Sequence, residues 1–246
     1  MAIITISRGT FSGGKAVAER LAERLGYPCV SREVILDAAN EYGISEEKLT
    51  TALKEPPHFW QQNPSKRIAY LSFVTAALLD RAKEGQLVYH GHAGHLLLAG
   101  ISHVLRVRVI ADMEFRVRAA TERTGLSREQ AIVAIEKVDK ERMKWTRFLY
   151  GVEWQDASLY DVVLNLEKMS VESASETVVR MTELDDFKPT AASQKAFDNL
   201  MLASRVWAAL TKDSRTKGAN VRVRAESGVV TIWGSAQSES TLEAIP

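Results

Sequence analysis

The stretch SRGTFSGGK, residues 7 to 15, constrains the fold of this chain more than any other. Ile3 to Ile6 is an apolar, β-branched run that reads as a buried strand ending at Ser7. Gly9, Gly14 and Lys15 then follow the spacing G-x-x-x-x-G-K. Beyond them Val17, Leu21 and Leu25 recur every four residues, as one face of a helix does, and Gly26 with Pro28 closes it. A strand, a glycine loop and a helix in that order turn successive amides and a helix N-terminus toward one point, where phosphate is held. The expected cradle is the backbone of Gly9, Thr10, Phe11, Ser12, Gly13, Gly14, Lys15 and Ala16, with the Lys15 ammonium on the β and γ oxygens. The position after such a lysine normally offers Mg²⁺ a hydroxyl. Ala16 stands there, so Thr10, Ser12 or water must complete the ion's shell.

Further strands alternate with helices along the chain. PCV ends a second strand at Ser31, with a helix expected from about Arg32 to Glu41. EPPHFWQQNP (55–64) reads as a loop, and Ile68, Leu71, Val74 and Leu78 place a helix over 65–84. LVYH is a third strand. VLRVRVIA (104–111) is a fourth, with Leu105, Val107 and Val109 alternating against Arg106 and Arg108. Ser127 and Gln130 form a capping box that opens a long helix to about Tyr150. LYDVVLNL (159–166) is a fifth strand, followed by a helix from about Val171 to Glu183. This alternation predicts a parallel sheet covered on both faces, with ligands beyond the carboxyl ends of its strands. Those ends carry Ser7-Arg8-Gly9, Ser31-Arg32, Gly91-His92, Asp112 and Asn165.

Composition excludes several classes. Of 246 residues 46% are hydrophobic, enough for a sizeable core, and the net charge of +1 gives no global attraction to nucleic acid. The single cysteine, Cys29, leaves no role for disulfides. MAIITI lacks a basic leader and no apolar run approaches a bilayer's thickness, so the cytoplasm is the expected compartment. His90, His92, His95 and His103 have no Cys, Asp or Glu at ligand spacing, so no metal site is assigned to them.

ITISRGTFSGGKAVAERLAERLGYP resembles the start of the cytidylate kinase-like proteins, whose loop reads roughly S-R-x-x-G-S-G-G-R/K-x-x-A. The likeness continues at VYHGH and is most specific from VIADMEF to VVLNL, where the family shows A-D-x-x-x-R, D-x-x-R and D-x-x-x-Y-D-L-V-x-N-T. It covers about residues 1 to 180. The resemblance implies a P-loop NTPase-type α/β fold: a five-stranded parallel sheet flanked by helices, with a helical lid at about 112–156 inside a domain spanning 1–183. It also implies ATP and Mg²⁺ as cofactors, a nucleotide as substrate, and transfer of the ATP γ-phosphate to CMP, dCMP or a related small acceptor. By motif, Arg116 and Arg142 are the lid arginines with Asp139 near them, completing a catalytic set with Lys15. Arg123 is a candidate by its place in the lid. The acceptor side is expected around Arg32, Arg67 and His92, Arg67 from its place at a helix start. His92 stands where the family has the arginine of Gly-Arg, Ser31 replaces an aspartate, and Leu166 replaces a threonine. Lys137, Lys140, Lys144 and Arg147 share one helical face, which reads as solvated.

LDDFKPTAASQ (184–194) suits a linker. Beyond it, Leu200, Ala203, Trp207 and Leu210 mark a helix, and VRVRAESGVVTIWG a hairpin turning at Ser227-Gly228. Residues 195–246 resemble the front of a BON domain, an αββαβ module, making a small, incomplete α+β module. The resemblance implies attachment to a membrane surface, another protein or a second copy. Between Lys212 and Arg224 five basic residues stand against one acid. A second functional class follows: a catalytically weak nucleotide-binding sensor acting through this tail.

Overall fold

Every apolar run that reads as a strand in the first 170 residues joins one sheet. The computed structural model describes residues 2–31, 64–91, 93–216, 218–236 and 238–245. In chain order the elements are β1 (Ile3–Arg8), α1 (Gly14–Leu25), β2 (Cys29–Ser31), α2 (Pro64–Ala82), β3 (Leu87–His90) and α3 (Gly94–Leu97). They continue with β4 (Val104–Ile110), α4 (Met113–Thr124), α5 (Arg128–Tyr150), β5 (Val162–Asn165) and α6 (Val171–Thr182). The tail holds α7 (Ala191–Lys212), β6 (Asn220–Glu226), β7 (Val229–Ser235) and α8 (Glu239–Glu243). The chain forms two compact units. The described parts of the first lie in Met1–Arg32 and Glu84–Pro189, those of the second in Glu33–Lys83 and Thr190–Pro246.

In the first unit five parallel strands run in the order β2-β3-β1-β4-β5. Parallel strands need crossovers and have both faces covered, which is why their sequences are apolar throughout. One face of the sheet sets Ile4, Ile6, Val88, Leu105, Val107, Val109 and Leu164 against Val17, Ala18 and Leu21 of α1 and Ala174 and Val178 of α6. The alternate residues, Thr5, Ser7, Tyr89, Arg106 and Arg108, point to the second face. The register sets Ser7 beside Arg108 and Thr5 beside Arg106.

The fifth strand is shorter than its apolar run suggests. Asp156 caps a 3-10 turn at Ala157–Leu159, and Asp161 turns its carboxylate back onto the Arg106 amide at 2.8 Å and guanidinium at 2.5 Å. Both groups draw the chain off the ladder until Val162. In the second unit α2 and α7 pack through buried Phe73, Val74, Leu78 and Phe197. Ser72 donates to Thr211 at 3.4 Å, and Arg205 reaches Asp80 at 2.6 Å. Helix α7 starts at Ala191, earlier than its apolar spacing shows, because Thr190 and Ser193 cap one another's backbone. Strands β6 and β7 form the expected hairpin, and Val223, Ile232 and Ile245 pack against Leu210, Ala219 and Val221. No described helix is long and apolar enough to cross a membrane.

Candidate phosphate-binding site

The turn between β1 and α1 is built for close approach. Gly13 is the N-cap of α1 at φ 82°, and no side chain caps the helix, so the first-turn amides stay available to an anion. A Cβ on Gly13 would stand 2.6 Å from Leu166 Cδ1, and one on Gly14 2.6 Å from Arg8 Cβ. Both positions therefore need glycine. Phe11 adopts φ 59° although it bears a side chain. Its ring packs with Val117, Ala120, Ala131 and Ile135 of α4 and α5, and the Arg123 guanidinium lies 5.6 Å above it. Burial of that ring holds a backbone conformation that would otherwise be unfavourable. The Ser12 hydroxyl lies 3.0 Å from both the Gly9 and Val109 carbonyls and donates to them. This ties the loop to β4.

Helices α4 and α5 clasp the loop. Asp112 accepts from the Phe115 amide at 2.9 Å and starts α4; Ser127 and Gln130 start α5 with the predicted capping box. Asp139 on α5 accepts from the Thr10 amide at 3.2 Å and the Thr10 hydroxyl at 2.7 Å. Arg116 on α4 donates its Nε to the Thr10 carbonyl at 2.7 Å and pairs with Asp139, both side chains being mostly buried. Arg142 donates to the Arg8 carbonyl at 3.1 Å. Lys15, Arg116, Arg142 and Asp139 thus all lie on or against the loop. A cavity of about 350 Å³ opens there, lined by Phe11, Gly13, Lys15, Phe115, Arg123 and Val171 among others. Lys15 Nζ is 3.4 Å from Glu19, with both side chains half exposed.

The hydroxyls considered as replacements at Ala16 are already engaged, Ser12 with two carbonyls and Thr10 with Asp139. Arg67 belongs to the second unit, where it lines a groove with Trp207, Val221 and Arg222. Arg32 and His92 lie outside the described residues. Lys137, Lys140, Lys144 and Arg147 face solvent. Among the described residues no group of three His, Cys, Asp or Glu side chains could hold a metal.

A second polar cluster escaped the sequence. Arg108 is 9% exposed, and its guanidinium lies 5.0 Å from the Trp154 ring and 5.4 Å from the Tyr160 ring while donating to the Trp154 carbonyl. Trp154 Nε1 donates to Ser7 Oγ at 2.8 Å; the Tyr160 hydroxyl reaches Ser7 Oγ at 3.2 Å and the Trp154 carbonyl at 2.9 Å. The His95 ring is tilted against Tyr160 at 4.6 Å. Burial, followed by the charges of Arg106 and Arg108, pulls His95 down to about 4, so its ring is neutral at pH 7. Burial also raises the Tyr160 phenol. Strand alternation was the one available signal: it placed Arg106 and Arg108 on one face but could not show that the face is covered.

The sheet order, the uncapped helix behind a glycine loop and the helical clasp define a P-loop-type nucleotide-binding fold. A solved structure of an uncharacterized protein from Eubacterium ventriosum shares it, with a TM-score of 0.60 and 22% identity, covering 74% of this chain and 98% of that one. Residues 3–168 match the model of the cytidylate kinase-like family, and the chain belongs to that family. A cytidylate kinase of Ignicoccus hospitalis is 31% identical over 185 residues, covering 74% of this chain and 99% of the relative. A cytidylate kinase of Methanopyrus kandleri is 27% identical over 177 residues, covering 68% and 86%. The kinship is with nucleoside monophosphate kinase-like phosphotransferases.

Proposed function

We propose that the protein is a nucleoside monophosphate kinase that moves the γ-phosphoryl of ATP to CMP or dCMP. One observation carries the reading: an uncapped helix N-terminus behind a turn in which Gly13 and Gly14 both lack room for a Cβ, so no side chain at those two positions blocks the first-turn amides. ATP supplies the phosphoryl group. Amides at 13–16 and the Lys15 ammonium take its β and γ oxygens, which requires Lys15 to leave Glu19. Mg²⁺ is the nucleotide's usual counter-ion; Ala16 has no hydroxyl for it, Thr10 and Ser12 spend their hydroxyl hydrogens on Asp139 and on backbone carbonyls, and phosphate oxygens and water would supply most of its shell. Arg116 and Arg142 sit on loop carbonyls one short side-chain movement from the phosphates, and their charge there stabilises the transferring group. Asp139 positions Arg116. Arg123 borders the same cavity; the acceptor side is placed around Arg32, Arg67 and His92, Arg67 by its position at a helix start and His92 by standing where the family has an arginine.

The test is ADP formation with ATP, Mg²⁺ and each nucleoside monophosphate in turn. Turnover with CMP or dCMP, reduced at least about 100-fold in Lys15→Ala, supports the kinase. ATP binding without turnover on any acceptor favours a nucleotide sensor instead. The Lys15–Glu19 pair is the feature that would suit such a protein. The tail's order of helix, two antiparallel strands and short helix supports the BON-like reading, with attachment as its proposed role.

A further inference from the structure

Arg108 and His95 share an unusual electrostatic position. Arg108 is almost fully buried, yet among the described residues no carboxylate reaches it. Its neighbour on the same face, Arg106, has such a partner in Asp161. The two aromatic rings over Arg108 and the Trp154 carbonyl offset only part of the desolvation of a guanidinium. His95 is 3% exposed, and neither ring nitrogen has a hydrogen-bond partner. A neutral imidazole always carries one N–H donor and one lone pair, so two polar atoms are buried without satisfaction. Arg108 and His95 pack against the same ring, Tyr160, at 5.4 Å and 4.6 Å. Two uncompensated groups, one cationic and one able to donate, thus meet on the second face of the sheet beside Ser7, two residues before the phosphate loop. A counter-charge offsets the cost of burying such a group, and among the described residues no carboxylate provides it.

We propose that Arg108 and His95 form an oxyanion-binding pocket that takes the phosphate group of a phosphomonoester. Arg108 offers the unused edge of its fork, which fits phosphate geometry, and His95 adds a neutral N–H donor. Ser7 and Tyr160 hold Trp154, and Trp154 with Tyr160 hold the guanidinium flat, so the donors are fixed before the ligand arrives. Identifying the phosphomonoester as the acceptor nucleotide rests on the kinase function proposed above; binding of an oxyanion does not.

The experiment compares wild type with Arg108→Met and Arg108→Lys in the full chain. Inorganic phosphate, CMP and cytidine are titrated by calorimetry without ATP. Phosphate and CMP are expected to bind at least 10-fold more weakly to Arg108→Met, with partial recovery in Arg108→Lys, while cytidine binding stays unchanged. The melting temperature of Arg108→Met should hold or rise, because an uncompensated charge has been removed. A fall in melting temperature with unchanged phosphate and CMP affinity would make Arg108 a structural staple and overturn the proposal. Arg108-dependent phosphate binding with Arg108-independent CMP binding would keep the pocket but overturn its assignment to the acceptor. Should Arg108→Met fail to fold, the imidazole ¹⁵N resonances of His95 in wild type decide: they must move on saturation with phosphate, and their standing still overturns the pocket. An absence of phosphoryl transfer would sink the kinase reading without touching these binding results.

Discussion

Single positions carry most of the loop's constraint. At Gly13 two penalties coincide: a left-handed φ of 82° and a Cβ position 2.6 Å from Leu166. Gly13→Ala should lower stability by about 1–3 kcal/mol. Adding Leu166→Ala relieves the clash but not the backbone, so relative to Leu166→Ala alone the glycine substitution should still cost about 1 kcal/mol in denaturant melts. Asp139 matters for a different reason, because it holds Arg116 and both polar atoms of Thr10. Asp139→Asn keeps the shape and removes the charge, freeing Arg116 from its fixed position. With Arg116 in its proposed role on the transferring phosphoryl, misplacing it should reduce kcat about 100-fold. The KM for ATP should change much less, since Lys15 and the amides at 13–16 make no contact with Asp139, and steady-state kinetics separate the two effects.

Elements were readable where their signals are local. The capping box at Ser127 and Gln130, the helix stop at Gly26 and the turn at Ser227-Gly228 each need only neighbouring residues, and all appear in the structure. Ser127→Ala should therefore cost about 1 kcal/mol and speed amide exchange in the first turn of α5, leaving the sheet amides unaffected. Elements were misread where a distant partner decides. LYDVVLNL looks like eight strand residues, but Asp161 spends its carboxylate on Arg106, 55 positions away. Likewise nothing local shows that the Ser12 and Thr10 hydroxyls donate to Val109 and Asp139, 97 and 129 positions away. The candidate site divides in the same way. Glycine spacing and the lysine marked the turn between β1 and α1, whereas the Arg108 cluster depends on Trp154 and Tyr160 arriving from far along the chain to cover a face that alternation alone leaves open to water.

At the scale of the whole molecule, the buried imidazole ties stability to pH and, through the proposed pocket, would tie it to ligand as well. His95 titrates near 4 in the folded protein, against about 6.5 when unfolded. Above pH 6.5 the ring is neutral in both states and pH has no effect through it. Between 6.5 and 4 the unfolded chain takes up a proton that the folded chain refuses, so stability falls as the pH falls and levels off below 4. The loss through this one group should be about 3 kcal/mol at pH 4 relative to pH 7. His95→Leu removes it, so the wild-type and variant unfolding free energies should converge or cross as the pH is lowered. Carboxylates titrate alike in both proteins and cancel in the difference. A phosphate group held between Arg108 and His95 would reverse the sign of the local field and make protonation easier. Inorganic phosphate at constant ionic strength should therefore stabilise the wild type at pH 5 more than it stabilises His95→Leu, in which Arg108 and the loop still bind it but no imidazole is left to protonate. Urea melts followed by circular dichroism at pH 7, 6, 5 and 4.5 measure both differences. A wild-type curve parallel to the variant's over that range would mean that His95 does not stay neutral in the fold.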